Sequence, residues 1–397
     1  MKGHPSALDV EALRADTPGC ERLIHFDNAG AALQPSPVRR AVLDHLDLEQ
    51  EIGGYAAEER AGPAVEGLYV GLARLLRCGA DEIALAENAT RAWDMIFYGL
   101  RFAPGDVILT SRAEYASNVL AFLQVRRRVG ARVEFIPEAD EGGVDLAALA
   151  ERLDERVKLV AISHVPSQNG LVQPAAAVGR LTRAAGVPFL LDACQSAGQM
   201  ALNVEDLGCD FLTGTGRKYL RGPRGTGFLF VRRDLLESLD PPFLDLRAAE
   251  WVGEREFVLR PDARRFESWE SGVASRLGLA AAIDYANALD MAAVERRVGA
   301  LAASLRRRLA AKARVRLHDH GERLCGIVAF TVEGVDSMAL HHALAARAIN
   351  TTVVTAPTAR PDFEALGLAA VLRASVHYYN AEAEIDAFAD AIDRCVA

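Results

Sequence analysis

The sequence predicts an α/β protein with a large, mostly parallel seven-stranded sheet and a smaller α+β domain in its C-terminal part. From about residue 80, short apolar runs alternate with helical patterns, as in parallel strands joined by crossover helices. Several of these runs are apolar throughout, which is typical of strands covered on both faces. The chain has 397 residues, 50% of them hydrophobic, which suffices for two domains with large cores.

The strands of the large sheet are predicted at Glu82–Ala86, Asp106–Thr110, Arg132–Ile136, Lys158–Ser163, Val187–Asp192, Asp210–Thr213 and Gly227–Val231. Helical patterns lie between them, for example at Thr90–Leu100, Val119–Val129, Leu146–Leu153 and Ala175–Ala185. Parallel strands share one carboxyl edge, and ligands bind at that edge in such folds.

The pattern changes after Pro241-Pro242, where a less regular aromatic and charged stretch begins. We expect a large ligand-binding domain over residues 25–255 and a small domain built from residues 1–24 and 256–397. Elements of the small domain are predicted at Ser275–Leu289, Ala292–Lys312, Gly326–Val332, Ser337–Ala346, Leu372–Val376 and Ala381–Cys395.

Charge and cysteine usage exclude several classes of function. The formal net charge is −9, which argues against a nucleic-acid surface, and the runs Arg126–Arg128 and Arg306–Arg308 are interpreted as solvated helix faces. No apolar run reaches membrane-span length and no apolar leader opens the chain, so no membrane association is expected. Six scattered cysteines without a CxxC pair indicate reduced thiols and a cytoplasmic protein.

Several standard motifs are missing from the sequence. Gly214–Tyr219 lacks both the third glycine of a dinucleotide fingerprint and the ending of a P-loop, and no HExxH or GxSxG motif occurs. The histidine pairs His318/His320 and His341/His342 are interpreted as surface residues, because no cysteine or carboxylate cluster stands at ligand spacing around them. No metal site is predicted.

Two strand ends are chemically unusual. An apolar strand ends in Asp192, which places a carboxylate at the ligand-binding edge, although a helix N-cap explains an aspartate there equally well. The next strand leads into small and hydroxyl residues and then Lys218. Thr215 there can bind a phosphate, and a lysine held in such a loop is a candidate Schiff-base amine. The alternative is an ordinary surface lysine.

In the spacing of Asp192 and Lys218 and in the residues around them, the sequence resembles the class-V aminotransferase family. Its members are fold-type-I enzymes, which use pyridoxal 5′-phosphate (PLP). This family includes cysteine desulfurases, cysteine C–S lyases and isopenicillin N epimerase. The resemblance runs from the segment beginning at His25 to the segment ending at Asn380. It implies a PLP-dependent lyase or transferase, an amino-acid substrate and a homodimer with active sites near the interface.

The resemblance assigns roles to individual residues. Lys218 matches the lysine that binds PLP as a Schiff base, and Asp192 matches the acid that keeps the pyridine ring protonated as an electron sink. Gln195 matches a contact to the phenolic oxygen of the cofactor. The remaining matches are Ala89, Thr90 and Thr215 at the phosphate, and Arg373 and Asn28 at the substrate.

The sequence also departs from the desulfurase pattern. Tyr115 stands where desulfurases stack a histidine on the ring, and Arg217 replaces the histidine before the lysine. Either Ser167 or Asn169 replaces an asparagine that contacts the ring hydroxyl. Glu270 stands near a threonine that reaches the phosphate of a neighbouring subunit, a contact that a carboxylate cannot make.

The largest departure is the absence of a nucleophilic cysteine from Thr351–Arg360, the segment before Arg373. Cys325 lies too far upstream in an apolar strand, and Cys194 is expected to be a small buried side chain. The sequence therefore favours a C–S lyase that deprotonates Cα and eliminates the β-sulfur of a cysteine-derived amino acid. An aminotransferase or an epimerase is the alternative, and a desulfurase is disfavoured. Two alternatives belong to other classes of protein. One is a non-catalytic protein with this fold, and the other is a protein that binds a phosphate or nucleotide through residues 214–227.

Overall fold

The seven-stranded sheet dominates the computed structural model, which describes residues 8–396. In order across the sheet, its strands are Ile83–Ala86, Gly227–Val231, Phe211–Thr215, Phe189–Asp192, Val157–Ser163, Val107–Thr110 and Arg132–Phe135. Gly227–Val231 runs antiparallel to both neighbours, and the other pairs are parallel. The α/β prediction and all seven predicted strands are confirmed, with ends shifted by at most two residues.

Both faces of this sheet are buried. Leu190 and Phe211 face one apolar cluster, whereas the following residues, Leu191 and Leu212, face the other. Successive side chains of a strand point to opposite faces, so continuous apolar runs serve two cores. The helices among these strands are Ala89–Phe97, Ala116–Val129, Leu146–Arg152, Ala175–Ala185 and Val204–Leu207.

Two long helices in the N-terminal third were not predicted. Ser36–Ile52 and Gly54–Leu76 are separated by Gly53, which has a φ of 85° and so breaks one continuous pattern into two. The helix Val273–Asn287 packs against both, and its Ile283 joins the core of the large sheet. Nothing tests the division at residue 255, so the domain limits stay a prediction.

A second sheet of four antiparallel strands carries Arg373. In order across it, the strands are Val315–Leu317, Ile327–Val332, Ala370–Ser375 and Thr352–Thr355, and Arg373 pairs with Ala329 and Thr352. Ile24–His25 pairs in parallel with Ile349–Asn350. The helices in this part of the chain and at its start are Val10–Ala15, Asn28–Ala31, Met291–Ala310, Ser337–Ala345, Arg360–Leu366 and Glu382–Val396.

The stretch after Pro242 contains a hairpin that the sequence analysis missed. Its strands Ala249–Gly253 and Glu256–Leu259 pair with each other alone and expose their apolar side chains, so neither shows the burial pattern expected of a core strand. Short 3-10 helices occupy Pro18–Glu21, Ala80–Glu82, Arg233–Ser238, Ala263–Phe266 and Ala356–Thr358.

The interpretation of Arg306–Arg308 as a solvated face is wrong for Arg306. Its guanidinium lies 2.7 Å from the buried Asp319 carboxylate and also donates to the carbonyls of Cys325 and Ile327.

Within residues 8–396, no single helix is long and apolar enough to cross a membrane. The helices Val273–Asn287 and Met291–Ala310 reach that length and apolar composition only when taken together, and they meet at an angle of 86°.

Candidate active site

A cavity of about 250 Å³ opens at the carboxyl edge of the parallel strands. It brings together all eight residues that the sequence analysis assigned to cofactor binding. Five further residues line it: Asn88, Ser163, Val165, Ser167 and Cys194. The eight predicted residues are Ala89, Thr90, Tyr115, Asp192, Gln195, Thr215, Arg217 and Lys218.

One end of the cavity is the N-terminus of the helix Ala89–Phe97. Asn88 caps this helix by accepting from the Arg91 N–H at 2.8 Å, which leaves the N–H groups of Ala89 and Thr90 without an acceptor among the described residues. A Cβ on Gly227 would lie 2.5 Å from the Asn88 carbonyl carbon, so only glycine permits this approach of strand and helix. Free N–H groups at a helix N-terminus suit a phosphate.

Asp192 is held from two sides. Its Oδ1 accepts from the Cys194 N–H at 2.9 Å, and its Oδ2 accepts from the Asn118 amide at 3.2 Å. The next helix begins only at Val204 and is capped by Asn203, so Asp192 is not an N-cap. The carboxylate is therefore oriented within the cavity.

A second carboxyl group, Glu114, lies behind Asp192. Asn118 donates to Glu114 at 2.9 Å, and the backbone N–H of Ser163 donates to it at 2.7 Å. Burial raises the pKa of Glu114 to about 7, opposed by the Ser163 hydrogen bond and reinforced by the charge of Asp192. The sequence analysis missed Glu114 and Asn118, and the only signal available was their spacing of four residues, with Glu114 just before the helix Ala116–Val129 that carries Asn118.

Lys218 is buried and its amine has no hydrogen-bond partner among the described residues. Its backbone is fixed, because the Lys218 carbonyl accepts from the Arg221 N–H at 2.9 Å. Burial lowers the pKa of the Lys218 amine, and the nearby Arg217 and Arg373 add to this effect. The alternative of an ordinary surface lysine is wrong, and a larger fraction of this amine is uncharged and nucleophilic than in an exposed lysine.

Three side chains frame the middle of the cavity. Gln195 donates to the Ala29 carbonyl at 3.1 Å, while its buried Oε1 has no partner. Arg217 donates to the Gly30 carbonyl. The Tyr115 side chain is 38% exposed at the mouth, which leaves a ring face free for stacking.

Arg373 lies behind the cavity wall and is not one of its lining residues. It donates to the Ser167 carbonyl at 2.7 Å and forms an ion pair with Asp27 at 3.2 Å. Asp27 also accepts from the Thr352 hydroxyl. The buried Nε of Arg373 has no partner, so part of its donor capacity is unused.

The structure separates the residues that the sequence left ambiguous. Ser167 lines the cavity, whereas Asn169 accepts from the Leu171 N–H at 3.1 Å and is turned away. Asn28 is also directed elsewhere: it is fully buried, donates to the Ser375 carbonyl at 2.7 Å and accepts from the Tyr379 hydroxyl. We therefore assign Asn28 a structural role in place of the predicted substrate contact.

Glu270 lies outside this cavity. It is exposed and lines a separate depression with Tyr55 and Glu49. Its predicted position near a neighbouring subunit stays a prediction.

The two cysteines considered as nucleophiles have poorly acidic thiols. Cys194 does line the cavity, but burial and the adjacent Asp192 raise the pKa of its thiol well above the ordinary value. Burial raises the pKa of Cys325 to about 11. The segment before Arg373 forms the strand Thr352–Thr355 and the helix Arg360–Leu366, and it contains no cysteine.

The arrangement fits pyridoxal 5′-phosphate. The unpaired N–H groups of Ala89 and Thr90 suit its phosphate, Asp192 its ring nitrogen, and the unpaired Lys218 amine its aldehyde. The buried Oε1 of Gln195 has no hydrogen-bond donor, and the hydroxyl group on the PLP ring would supply one when protonated. The donor set and the cavity thus suit one ligand with a phosphate at one end.

Comparisons with known proteins agree with this geometry. Residues 24–388 match the model of the aminotransferase class-V family. A probable cysteine desulfurase of Xylella fastidiosa is 32% identical over 98% of this chain and 96% of its own.

Solved structures are similar over nearly the same length. The apo cysteine desulfurase of Thermococcus onnurineus has a TM-score of 0.91 at 28% identity and covers 99% of each chain. The cystine C–S lyase C-DES, in complex with its reaction product cysteine persulfide, has a TM-score of 0.85 at 25% identity, covering 94% of this chain and 98% of its own.

Proposed function

The chain belongs to the class-V aminotransferase family of PLP-dependent enzymes, and from this premise we propose that it is a C–S lyase acting on a cysteine-derived amino acid. An S-substituted cysteine and one water are converted to a thiol, pyruvate and ammonium. The Cα–H and Cβ–S bonds break, and the sulfur leaves with the bonding electron pair and takes up a proton.

One observation carries the choice of lyase over desulfurase: among residues 8–396, the one cysteine that lines the cavity, Cys194, has a raised thiol pKa. A persulfide-forming enzyme needs a thiolate that attacks the substrate sulfur. The segment before Arg373 holds no cysteine, and Cys194, which does line the cavity, has a raised thiol pKa. Elimination needs only a base, an electron sink and a held carboxylate.

The cofactor would be held at three points by this chain. The N–H groups of Ala89 and Thr90 would bind the phosphate, Lys218 would bind the aldehyde carbon, and Asp192 would pair with the ring nitrogen. The Thr215 hydroxyl, which donates to the Thr226 carbonyl at 3.2 Å, would turn to donate to the phosphate. When bound, PLP draws the electron pair left at Cα into its ring. Asn118 keeps the Asp192 carboxylate directed at the ring nitrogen by its 3.2 Å hydrogen bond.

Lys218 is the proposed base. The free Lys218 amine in the cavity would accept the Cα proton at Nζ. Burial lowers the pKa of this amine, so more of it is ready to accept a proton at neutral pH than in an exposed lysine. The same ammonium can then return a proton to the leaving sulfur.

Arg373 is the proposed holder of the substrate carboxylate. Its ion pair with Asp27 and its bond to the Ser167 carbonyl fix the guanidinium plane. The guanidinium fork suits bidentate bonding of a substrate carboxylate, which would take the place of the Ser167 carbonyl or the Asp27 carboxylate on it. Tyr115 at the mouth would stack on the cofactor ring and limit access of water.

A homodimer is part of this proposal. The hairpin exposes Trp251 (73%), Phe257 (56%) and Val258 (57%), and Tyr55 (81%) and Trp269 (59%) are exposed as well. Isolated soluble monomers seldom expose so many large apolar side chains. We propose that a second copy of the chain covers them, and light scattering of Trp251→Glu against wild type tests this by the loss of the dimer.

The experiment that tests the function is a product assay over cystine, S-substituted cysteines and their sulfoxides. A lyase releases pyruvate and the sulfur product in equal amounts from at least one of them. That product is a thiol from an S-substituted cysteine, a persulfide from cystine and a sulfenic acid from a sulfoxide. Racemised substrate with no pyruvate would identify an epimerase instead, and transfer of the amino group to a keto acid would identify an aminotransferase.

A further inference from the structure

Three side chains from distant parts of the sequence meet outside the active-site cavity. They are Glu138, His320 and Asp362, and one ligand atom of each lies within 4.8 Å of the others. The sequence analysis interpreted His320 as a surface histidine because no cysteine or carboxylate cluster stands at ligand spacing around it, but the fold brings the distant Glu138 and Asp362 carboxylates to it. We propose that these three residues bind a divalent transition-metal ion, with Zn²⁺ as the best match.

The three groups face one another without bonding one another. Among residues 8–396, no hydrogen bond or ion pair within 4.0 Å joins any two of them. Donors on one tetrahedral Zn²⁺ lie about 3.4 Å apart, given bonds of about 2.1 Å. The three ligand atoms therefore need to close by at most about an ångström and a half to complete a site.

The donor set fits a borderline metal. The Nδ1 of His320 lies 3.4 Å from the His318 carbonyl, and an imidazole that donates there presents Nε2 as its free lone pair. One imidazole with two carboxylates suits Zn²⁺ with water in the fourth position, whereas Mg²⁺ and Ca²⁺ prefer oxygen donors alone.

Gln168 is an independent sign that a ligand is missing here. This side chain is 1% exposed, and its Nε2 donates to Asp362 at 3.0 Å. Its Oε1 is buried and has no hydrogen-bond partner in the part of the chain that the structure describes. An unpaired buried amide oxygen destabilises the fold, and a metal-bound water at Asp362 is a donor of the kind it lacks.

The position of the cluster indicates what the ion would do. Glu138 follows the last strand of the large sheet, His320 precedes Ile327–Val332 of the small sheet, and Asp362 lies on the helix Arg360–Leu366. Gln168 and Asn169, which both donate to Asp362, adjoin Ser167, the carbonyl acceptor of Arg373. A metal ion would therefore clamp the helix Arg360–Leu366 onto the loop that supports Arg373.

The test is a Zn²⁺ titration of chelator-treated holoenzyme, followed by calorimetry and by thermal unfolding. We expect one Zn²⁺ per chain with micromolar or tighter affinity and an unfolding temperature raised by several degrees. His320→Ala and Glu138→Gln should each weaken binding at least tenfold and abolish the rise. His318→Ala is the matched control, because it removes a neighbouring imidazole from the same loop and should change neither readout.

Each other outcome overturns the proposal. Absence of Zn²⁺ binding at 100 times the protein concentration would leave the three side chains as a polar cluster without a ligand. Binding that survives Glu138→Gln and His320→Ala would place the metal elsewhere, and equal binding of Mg²⁺ would exclude a transition-metal site. If His320→Ala fails to fold, Glu138→Gln decides alone, since it keeps the size of the side chain.

Discussion

The amide of Asn118 donates to Asp192 at 3.2 Å, and the same amide donates to Glu114 at 2.9 Å. One side chain thus links the carboxylate at the proposed ring-nitrogen position to a second, buried carboxyl group. Because no helix starts at Asp192, this network explains its orientation without a capping role.

Replacing Asp192 with Asn should separate cofactor binding from turnover. The variant keeps the size of the side chain but removes the charge that stabilises a protonated ring nitrogen. We expect PLP to remain bound, as seen by its visible absorption, while kcat falls by at least a hundredfold. Near-normal turnover would reduce Asp192 to a structural residue.

Lys218→Ala should abolish covalent attachment of PLP. Borohydride reduction of the wild type should fix the cofactor on a single peptide that contains Lys218, because this buried amine has no protein partner among the described residues. Mass spectrometry after proteolysis checks this, with Lys158→Ala as a control that stays labelled. A label on any other lysine would refute the assignment.

Arg373→Ala should raise KM much more than it lowers kcat. A charge-assisted hydrogen bond contributes about 1.5–3 kcal/mol, which corresponds to roughly a 10- to 150-fold change in KM. Asp27→Asn is the matched comparison, since it removes the ion pair but leaves the guanidinium in place. An unchanged KM for Arg373→Ala, in a variant with wild-type circular dichroism, would move the substrate carboxylate elsewhere.

His164 should make the protein less stable in mild acid. Burial lowers the pKa of this histidine to about 4, so between pH 6.5 and pH 4 the unfolded chain binds a proton that the native state does not. Stability therefore falls as the pH is lowered through this window, by about 2 kcal/mol from pH 7 to pH 5 for this group alone.

His164→Phe removes that dependence, because a phenyl ring does not titrate and the buried Nδ1 has no partner to lose. Urea unfolding at pH 7 and pH 5 should show a smaller difference for the variant than for wild type. An identical difference in both proteins would contradict the assignment to His164.

The parallel sheet and the strand-end residues Asp192 and Lys218 were predictable because they depend on local patterns, whereas the other cofactor residues were assigned by the resemblance to a family. Apolar runs such as Phe189–Asp192 form strands that are buried on both faces. Lys218 comes shortly after another strand, in a segment that contains small residues. The long helices Ser36–Ile52 and Gly54–Leu76 were missed because their apolar residues are diluted by charged ones and because Pro63 interrupts the pattern.

Contacts between residues that are distant in sequence could not be predicted either. Asp27 and Arg373 lie 346 residues apart, and Glu138, His320 and Asp362 come from three separate loops and helices. No spacing rule relates such residues, because the tertiary fold alone brings them together. Asn28 was misplaced for the same reason, since its neighbours Ser375 and Tyr379 are equally remote in sequence.

The most direct measurement of the central claim is the product formed from L-cysteine by the holoenzyme. β-Elimination predicts pyruvate, ammonium and sulfide in equal amounts, with no alanine, and the same products from Cys194→Ala, which removes the cavity thiol. Alanine equal in amount to a persulfide carried on the protein would contradict the lyase account and identify a desulfurase.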